Sequence, residues 1–178
     1  MDYRKRLLNG NVVYRRNIYF SGLKLDKVKE LANDQHPFVM VITCSDSRVI
    51  PENIFACEMG DIFTIRTAGN VINEGELASI EYGIEHLHIE YILVLGHTHC
   101  GAIHAAIHDE KGMYLAPILD NIKSCIGEEC DERQASIKNA LKQVEYLKNK
   151  FPNYKGLIES ALYDIETCEI LFNEKENG

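Results

Sequence analysis

The chain has 178 residues, 46% of them hydrophobic and 26% charged, a balance that folds around a core and excludes wholesale disorder. Its formal net charge of −8 leaves no broad cationic face for nucleic acid, and the basic runs MDYRKRLL and YRR at 14–16 are too brief to argue for a membrane surface. No stretch reaches the ~18 apolar residues of a membrane span, the N-terminus lacks the apolar core of a signal peptide, and six scattered cysteines make no secreted disulfide framework; a cytoplasmic chain with reduced thiols or metal thiolates is expected.

With no repeat, low-complexity block or Pro/Gly/Ser linker, residues 1–178 are expected to form one domain. The first 33 residues read as a helical arm: LLNGNVVYRRNIYF, then Leu23, Leu25, Val28 and Leu31 near helical spacing. Pro37 opens FVMVIT, a β-branched apolar run that CSDSR ends, as in a fully buried strand of a parallel sheet. DIFTIR at 61–66, between Gly60 and Gly69, is a second strand. EGELASIEYGIEHLHI places Leu77, Ile80, Ile84 and Leu87 on one helical face, with acidic residues in the first turn. YILVLG at 91–96 is the third strand, and helical patterns follow to about 150, with Asp131 a candidate cap for RQASIKNALKQVEYLKNK. FPNYKG ends that helix. LIESALYDIE and CEILF then read as one or two strands at a sheet edge, before a frayed tail at 173–178. The fold class is therefore α/β, a mostly parallel central sheet flanked by helices with an N-terminal helical arm, and in such sheets ligands bind beyond the C-terminal strand ends.

That rule gives meaning to two residues. Cys44 directly follows the first strand and His97 the third, so both fall at one end of one sheet. Cys100 lies three residues past His97, and Gly96 and Gly101 leave the backbone room for a tight turn. Two thiolates and one imidazole are the ligand set of an open, potentially catalytic zinc site. Asp46 can close the fourth position, or Arg48 can hold that carboxylate through a bidentate pair. A purely structural zinc is the competing reading, although the paired C-x₂₋₄-C knuckles usual for it are missing from the sequence.

CSDSR followed by HTHC resembles the zinc signature of the β-class carbonic anhydrases. LLNGN, QHP, GDIFTIRTAGN, SIEYGIEHL and LYDIET resemble further stretches of that family in the same order, over roughly residues 7–170. The resemblance implies that Cys44, His97 and Cys100 bind one Zn²⁺ per chain and that Asp46 and Arg48 are the catalytic pair. It also implies that Gln35 helps bind substrate from across a dimer interface, while Phe63, Ala68 and Tyr82 occupy pocket positions. The implied function is zinc-dependent, reversible hydration of carbon dioxide to bicarbonate and a proton by a zinc-bound hydroxide, the carbon–oxygen lyase reaction of carbonic anhydrase. The implied assembly is a homo-oligomer, dimer or tetramer. Hydrolysis of carbon disulfide or carbonyl sulfide on the same scaffold is one alternative. A non-catalytic module binding zinc or bicarbonate is the other, and retention of both Asp46 and Arg48 argues against it.

Some positions depart from the family pattern. One subgroup carries a bicarbonate-binding trio with a tryptophan three residues before the first zinc cysteine; here Val41 stands there and the chain has no tryptophan, so such regulation is expected to be weak or absent even though Arg66 matches another member. Thr67 replaces a usual asparagine and Ala68 enlarges the pocket. His99 is expected to point away from the ion if His97 points toward it, and His104 is read as a bystander. Cys125 and Cys130 suit neither a redox C-x-x-C nor a zinc knuckle, and Cys168 has no assigned role.

Overall fold

The alternating apolar runs fold as strands and helices in a computed structural model that describes residues 2–20, 23–129 and 131–172. Cys130 and the tail at 173–178 lie outside the described residues. The chain divides into two units, Met1–His36 and Pro37–Gly178. The first holds α1 (Tyr3–Phe20) and α2 (Leu23–Leu31), the stretch that the sequence reads as a helical arm. Leu7, Leu8, Val12 and Val13 of α1 are exposed.

The second unit is built on a five-stranded sheet: β1 (Val39–Cys44), β2 (Ile62–Thr67), β3 (Tyr91–His97), β4 (Leu157–Tyr163) and β5 (Ile170–Phe172), in the order β2-β1-β3-β4-β5. The pairs β1–β2, β1–β3 and β3–β4 are parallel, while β5 runs antiparallel to β4. The helices are α3 (Pro51–Ile54), α4 (Glu74–Glu85), α5 (Gly101–Ile107), α6 (Ala116–Ile126) and α7 (Glu132–Lys150), with a single 3₁₀ turn at Ala68–Asn70. Right-handed crossovers send the β1-to-β2 connection to one face and the β2-to-β3 and β3-to-β4 connections to the other. The two cores agree. Met40, Ile42, Ile92 and Val94 pack with Ile80 of α4 and with Ala140, Val144 and Leu147 of α7. Val39, Val41, Leu93 and Leu95 face the opposite way, where Ile54 and Phe55 cover them.

Local chemistry sets the helix ends. Asp131 caps α7, its Oδ1 accepting the Gln134 N–H at 2.8 Å as its position in the sequence implies. Glu76 Oε2 accepts the Asn73 N–H at 2.9 Å at the start of α4. That helix stops at Glu85, before Leu87, whose helical spacing suggests a longer element; Ile89 N–H instead turns back to the Gly83 carbonyl and redirects the chain into β3. Of the two C-terminal strands, only β5 is an edge. β4 is an inner strand, buried along Ser160–Tyr163, because β3 pairs with β1 on one side and leaves its other side open to β4.

The two kinds of support differ in size. Asp131→Ala is expected to cost about 1 kcal/mol through the lost cap. Leu147→Ala, at a fully buried site in the larger core, is expected to cost about 2–5 kcal/mol through lost transfer energy and a residual cavity. Denaturant midpoints at constant m-value check both, and equal losses would contradict this placement of the core.

Candidate metal centre

The order of the strands makes a cleft. From β1 the chain crosses to β2 on one side, and from β3 it crosses to β4 on the other, so the connections diverge at the C-terminal ends of the β1–β3 pair. Cys44 ends β1 and His97 ends β3. Thr43 Oγ1 ties the two strands just beneath them by donating to the Leu95 carbonyl at 2.8 Å. A short turn through His99, which adopts φ 55°, brings Cys100 back as the N-cap of α5.

Cys44, His97 and Cys100 are all buried, and their donor atoms lie within 4.8 Å of one another, a group able to hold a metal ion. The sulfurs are 3.9 Å apart. That is far beyond a disulfide bond and close to the ~3.8 Å edge of a tetrahedron with ~2.3 Å metal–sulfur bonds. His97 supplies the sharper sign. Its Nδ1 lies 2.8 Å from the Thr98 carbonyl, to which it must donate, so in the neutral ring Nε2 carries the lone pair. Nε2 is buried and has no hydrogen-bond partner among the described residues. An orphaned acceptor beside two thiols is costly unless a cation completes it.

The thiols are polarised against each other. Cys44 is drawn down to about 4, chiefly by the hydrogen bond from Cys100, while that bond and burial push the Cys100 thiol above its ordinary range. Gly69 adds a second donor, its N–H reaching Cys44 Sγ at 3.3 Å. This contact requires glycine: φ is 65°, and a Cβ would sit 2.8 Å from Ile122 Cδ1. Asn139 of α7, fully buried, donates to the Gly69 carbonyl at 2.8 Å. Gln143, one turn on, accepts the Ile72 N–H at 3.1 Å. Two amides of one helix thus clamp the turn that touches Cys44.

At the rim, Asp46 and Arg48 form the bidentate pair, Nε to Oδ1 at 2.9 Å and Nη2 to Oδ2 at 2.7 Å. The Arg48 backbone N–H also donates to Oδ1 at 2.9 Å, and Nη2 reaches the His99 carbonyl at 3.0 Å. The Arg48 guanidinium holds the Asp46 carboxyl well below the usual carboxylate range. Arg66 has a structural task that its sequence position does not disclose. Its Nε donates to the Cys44 carbonyl at 3.1 Å and its Nη2 to the Asp46 carbonyl at 2.7 Å, fixing the segment that carries both side chains.

The remaining sequence candidates are spread out. Ala68 adjoins the cleft, next to Thr67, which pairs with Cys44. Phe63 lies opposite Met40, four residues up the strand and therefore about 13 Å from that end. It packs 6.3 Å from the exposed Tyr82 ring. Gln35 belongs to the first unit and is exposed. His99 turns outward to Glu166, Nε2 to Oε1 at 2.9 Å, and His104 to Glu132 at 2.7 Å. Cys168 is exposed and lines a hollow of about 220 Å³ with Arg48, Ile50, Asn53, Ile54 and Tyr163. The turn contacts of Gly69, Asn139 and Gln143 escape sequence reasoning; the one signal available is polar amides at i, i+4 within a helix that otherwise buries apolar residues.

Known proteins resemble this chain in sequence and fold. The family model described as carbonic anhydrase matches residues 39–170. The carbonic anhydrase of Synechococcus elongatus is 34% identical over 94% of this chain and 70% of its own length. Among solved structures, the β-carbonic anhydrase CcaA covers 97% of this chain and 88% of its own with a TM-score of 0.83 at 31% identity. One of two tetrameric β-carbonic anhydrases from Sordaria macrospora shares the fold with a TM-score of 0.77 at 23% identity, over 96% of both chains. A buried Cys-His-Cys group at the switch point of this sheet, a family match along most of the chain and relatives of this closeness place the protein in the β-class carbonic anhydrase family.

Proposed function

We propose that the protein hydrates carbon dioxide reversibly to bicarbonate and a proton, using one Zn²⁺ held by Cys44, His97 and Cys100. The observation that carries this reading is the buried, unpartnered His97 Nε2 beside two sulfurs at tetrahedral spacing, with an ionised carboxylate locked on the adjoining turn. A zinc ion there supplies Lewis acidity, which lowers the pKa of water and makes it a nucleophile at accessible pH. Two thiolates and a neutral imidazole leave the centre without net charge, so that acidification is weaker than with three histidines, and the chain itself must compensate.

Asp46 does so. Kept ionised and directed by Arg48, it accepts a hydrogen bond from the reacting oxygen and turns a lone pair toward carbon dioxide. Arg66 keeps Asp46 in register with Cys44 through their carbonyls. Ala68 offers small, apolar space beside the group, which suits a linear apolar substrate. The released proton leaves toward the exposed rim at Ser45 and Arg48. Phe63 and Tyr82 lie too far up the sheet to serve their own chain's site, and we assign them, with Gln35, to the substrate pocket of a second copy. The assembly is accordingly a homo-oligomer, in keeping with the tetrameric neighbours. Residues 1–178 then act as one β-carbonic-anhydrase-like domain, with the helices of the first unit as its arm. Among the described residues no helix is long and apolar enough to cross a membrane, and we assign the protein to the cytoplasm.

Stopped-flow measurement of carbon dioxide hydration by zinc-loaded protein tests this function. Metal-dependent turnover at alkaline pH is expected, with Asp46→Asn slower by about 100-fold or more. Turnover of carbonyl sulfide in place of carbon dioxide would move the assignment to a hydrolase, and no turnover of either would leave a binding module. The clamp has its own readout. Gly69→Ala removes the glycine geometry behind the Cys44 hydrogen bond and is expected to weaken zinc binding about tenfold or more in chelator competition; unchanged affinity would show that the N–H···S contact contributes nothing to the metal.

A further inference from the structure

The stretch LYDIET at 162–167 takes no part in the carbon dioxide chemistry, yet it closes on the residue beside a metal ligand. β3 ends at His97, and the buried Thr98 follows it. The Thr98 N–H donates to the Tyr163 carbonyl at 3.0 Å, which continues the pairing of β3 with β4 past His97. Its Oγ1 accepts the Ile165 N–H at 3.0 Å. The end of β4 therefore grips Thr98 by backbone and side chain at once. The Thr98 carbonyl is the polar group that remains, and it accepts the His97 Nδ1–H at 2.8 Å.

That grip depends on a turn which Asp164 folds. The Asp164 N–H donates to the Glu169 carbonyl at 2.9 Å and its own carbonyl accepts the Cys168 N–H at 2.8 Å, closing residues 164–169 into a loop. Within the loop, Asp164 Oδ1 accepts the N–H groups of Glu166 at 3.0 Å and Thr167 at 3.4 Å. Oδ2 accepts Nη1 of Arg133, on α7, at 2.6 Å, and that guanidinium holds the Asp164 carboxyl below its ordinary range. A ligating imidazole keeps rotational freedom until its other nitrogen meets a fixed acceptor. Here the acceptor belongs to the next residue in the chain, so it steers the ring only as firmly as Thr98 is itself held. Threonine suits the position, since its branched Cβ allows few rotamers and the bond at Oγ1 selects one of them. On the far side of the same carbonyl, His99 adopts φ 55° and its carbonyl accepts Arg48 Nη2 at 3.0 Å.

We propose that Thr98 and Asp164 are positioning residues of the metal centre: Asp164 folds the 164–169 turn, the turn pins Thr98, and the Thr98 carbonyl sets the His97 ring so that Nε2 joins the sulfurs of Cys44 and Cys100. The proposal rests on the reading of those three residues as metal ligands and is independent of which substrate the centre turns over. A threonine that only satisfied the Ile165 N–H would contribute to stability and leave the metal unaffected. A threonine that orients the ring changes both the affinity for the metal and the geometry of its ligand field.

Co²⁺ titrated into the metal-free, full-length protein, with its visible absorption recorded and its affinity measured by chelator competition, provides the test. Wild-type protein is expected to give the intense bands of a tetrahedral thiolate and imidazole site. Thr98→Val is expected to weaken Co²⁺ about tenfold and to alter those bands, and Thr98→Ser, which restores the hydroxyl, to recover both. Asp164→Ala, a second variant acting through the same turn, is expected to weaken Co²⁺ by a smaller factor. Glu166→Gln, whose side chain reaches outward to His99, is expected to change neither quantity. Leu147→Ala separates orientation from stability: it is expected to lower the denaturant midpoint and leave affinity and bands at their wild-type values. Wild-type affinity and bands in both Thr98→Val and Asp164→Ala, no recovery in Thr98→Ser, or an equal loss in Leu147→Ala would each overturn the proposal and leave the metal ligands as assigned. A wild-type protein that binds no Co²⁺ through sulfur would overturn the ligand assignment, and this proposal with it.

Discussion

The parallel pairing of β1 with β3 governs where chemistry can occur in this chain. The two strands are neighbours in the sheet but far apart in sequence, and each sends its following connection away from the other. Their C-terminal ends are left uncovered by their own crossovers, and backbone pairing fixes them side by side. Cys44 and His97 occupy those ends, so their approach follows from strand register and needs no dedicated loop. Only Cys100 must return by a turn, and the left-handed conformation at His99 makes that turn short enough.

Electrostatics then divides the centre into a dry floor and a wet rim. The donors on the floor are buried against Val71, Ile103 and Ile122, where two free thiolates would repel strongly and an imidazole lone pair would go unsatisfied. Without a metal, a proton shared between the sulfurs is the available compromise, consistent with the opposite shifts of the two thiols. The carboxylate cannot be relieved in the same way. Asp46 is surrounded by Arg48 donors and stays charged, while the Arg48 side chain is half exposed to solvent. The two ends of the site thus call for opposite partners, a cation for the floor and a hydrogen-bond donor for the rim.

The sequence discloses those features that repeat or sit close together. Three strands are visible as β-branched runs, and their alternation with helical periods is enough to put Cys44 and His97 at one end of a sheet. Asp46 and Arg48, two residues apart, can be paired from spacing alone. Arg66 shows where such reading ends: its position suggests an anion ligand, and nothing in the sequence reveals that its guanidinium also donates to the carbonyls of Cys44 and Asp46. Phe63 and Tyr82 align with pocket positions, and only the strand register reveals that Phe63, with the Tyr82 ring beside it, stands far from its own cleft. Contacts of this kind join residues tens of positions apart and leave no period behind. The inner position of β4 is hidden for a related reason, since a chain-terminal strand carries no mark of how many neighbours it will have.

α7 is the element whose importance is least visible and most widely felt. By pattern it is an amphipathic helix with a good N-cap, yet two of its fully buried positions, Asn139 and Gln143, are amides. Burying an amide is costly without partners, and here the partners are the Gly69 carbonyl and the Ile72 N–H, main-chain groups of a tight turn that would otherwise be buried unpaired. An apolar pair would pack as well but would release the turn, and with it the N–H that points at Cys44. At its start the same helix turns Glu132 toward His104, while Ala135 packs in the cluster that contains Cys44 and Cys100. A helix that makes no direct hydrogen bond to Cys44, His97 or Cys100 among the described contacts therefore sets the surroundings of that group. Its polar core positions are explained by that support, together with the Gln143 Nε2 bond to Asn121 Oδ1 at 2.8 Å, which ties α7 to α6.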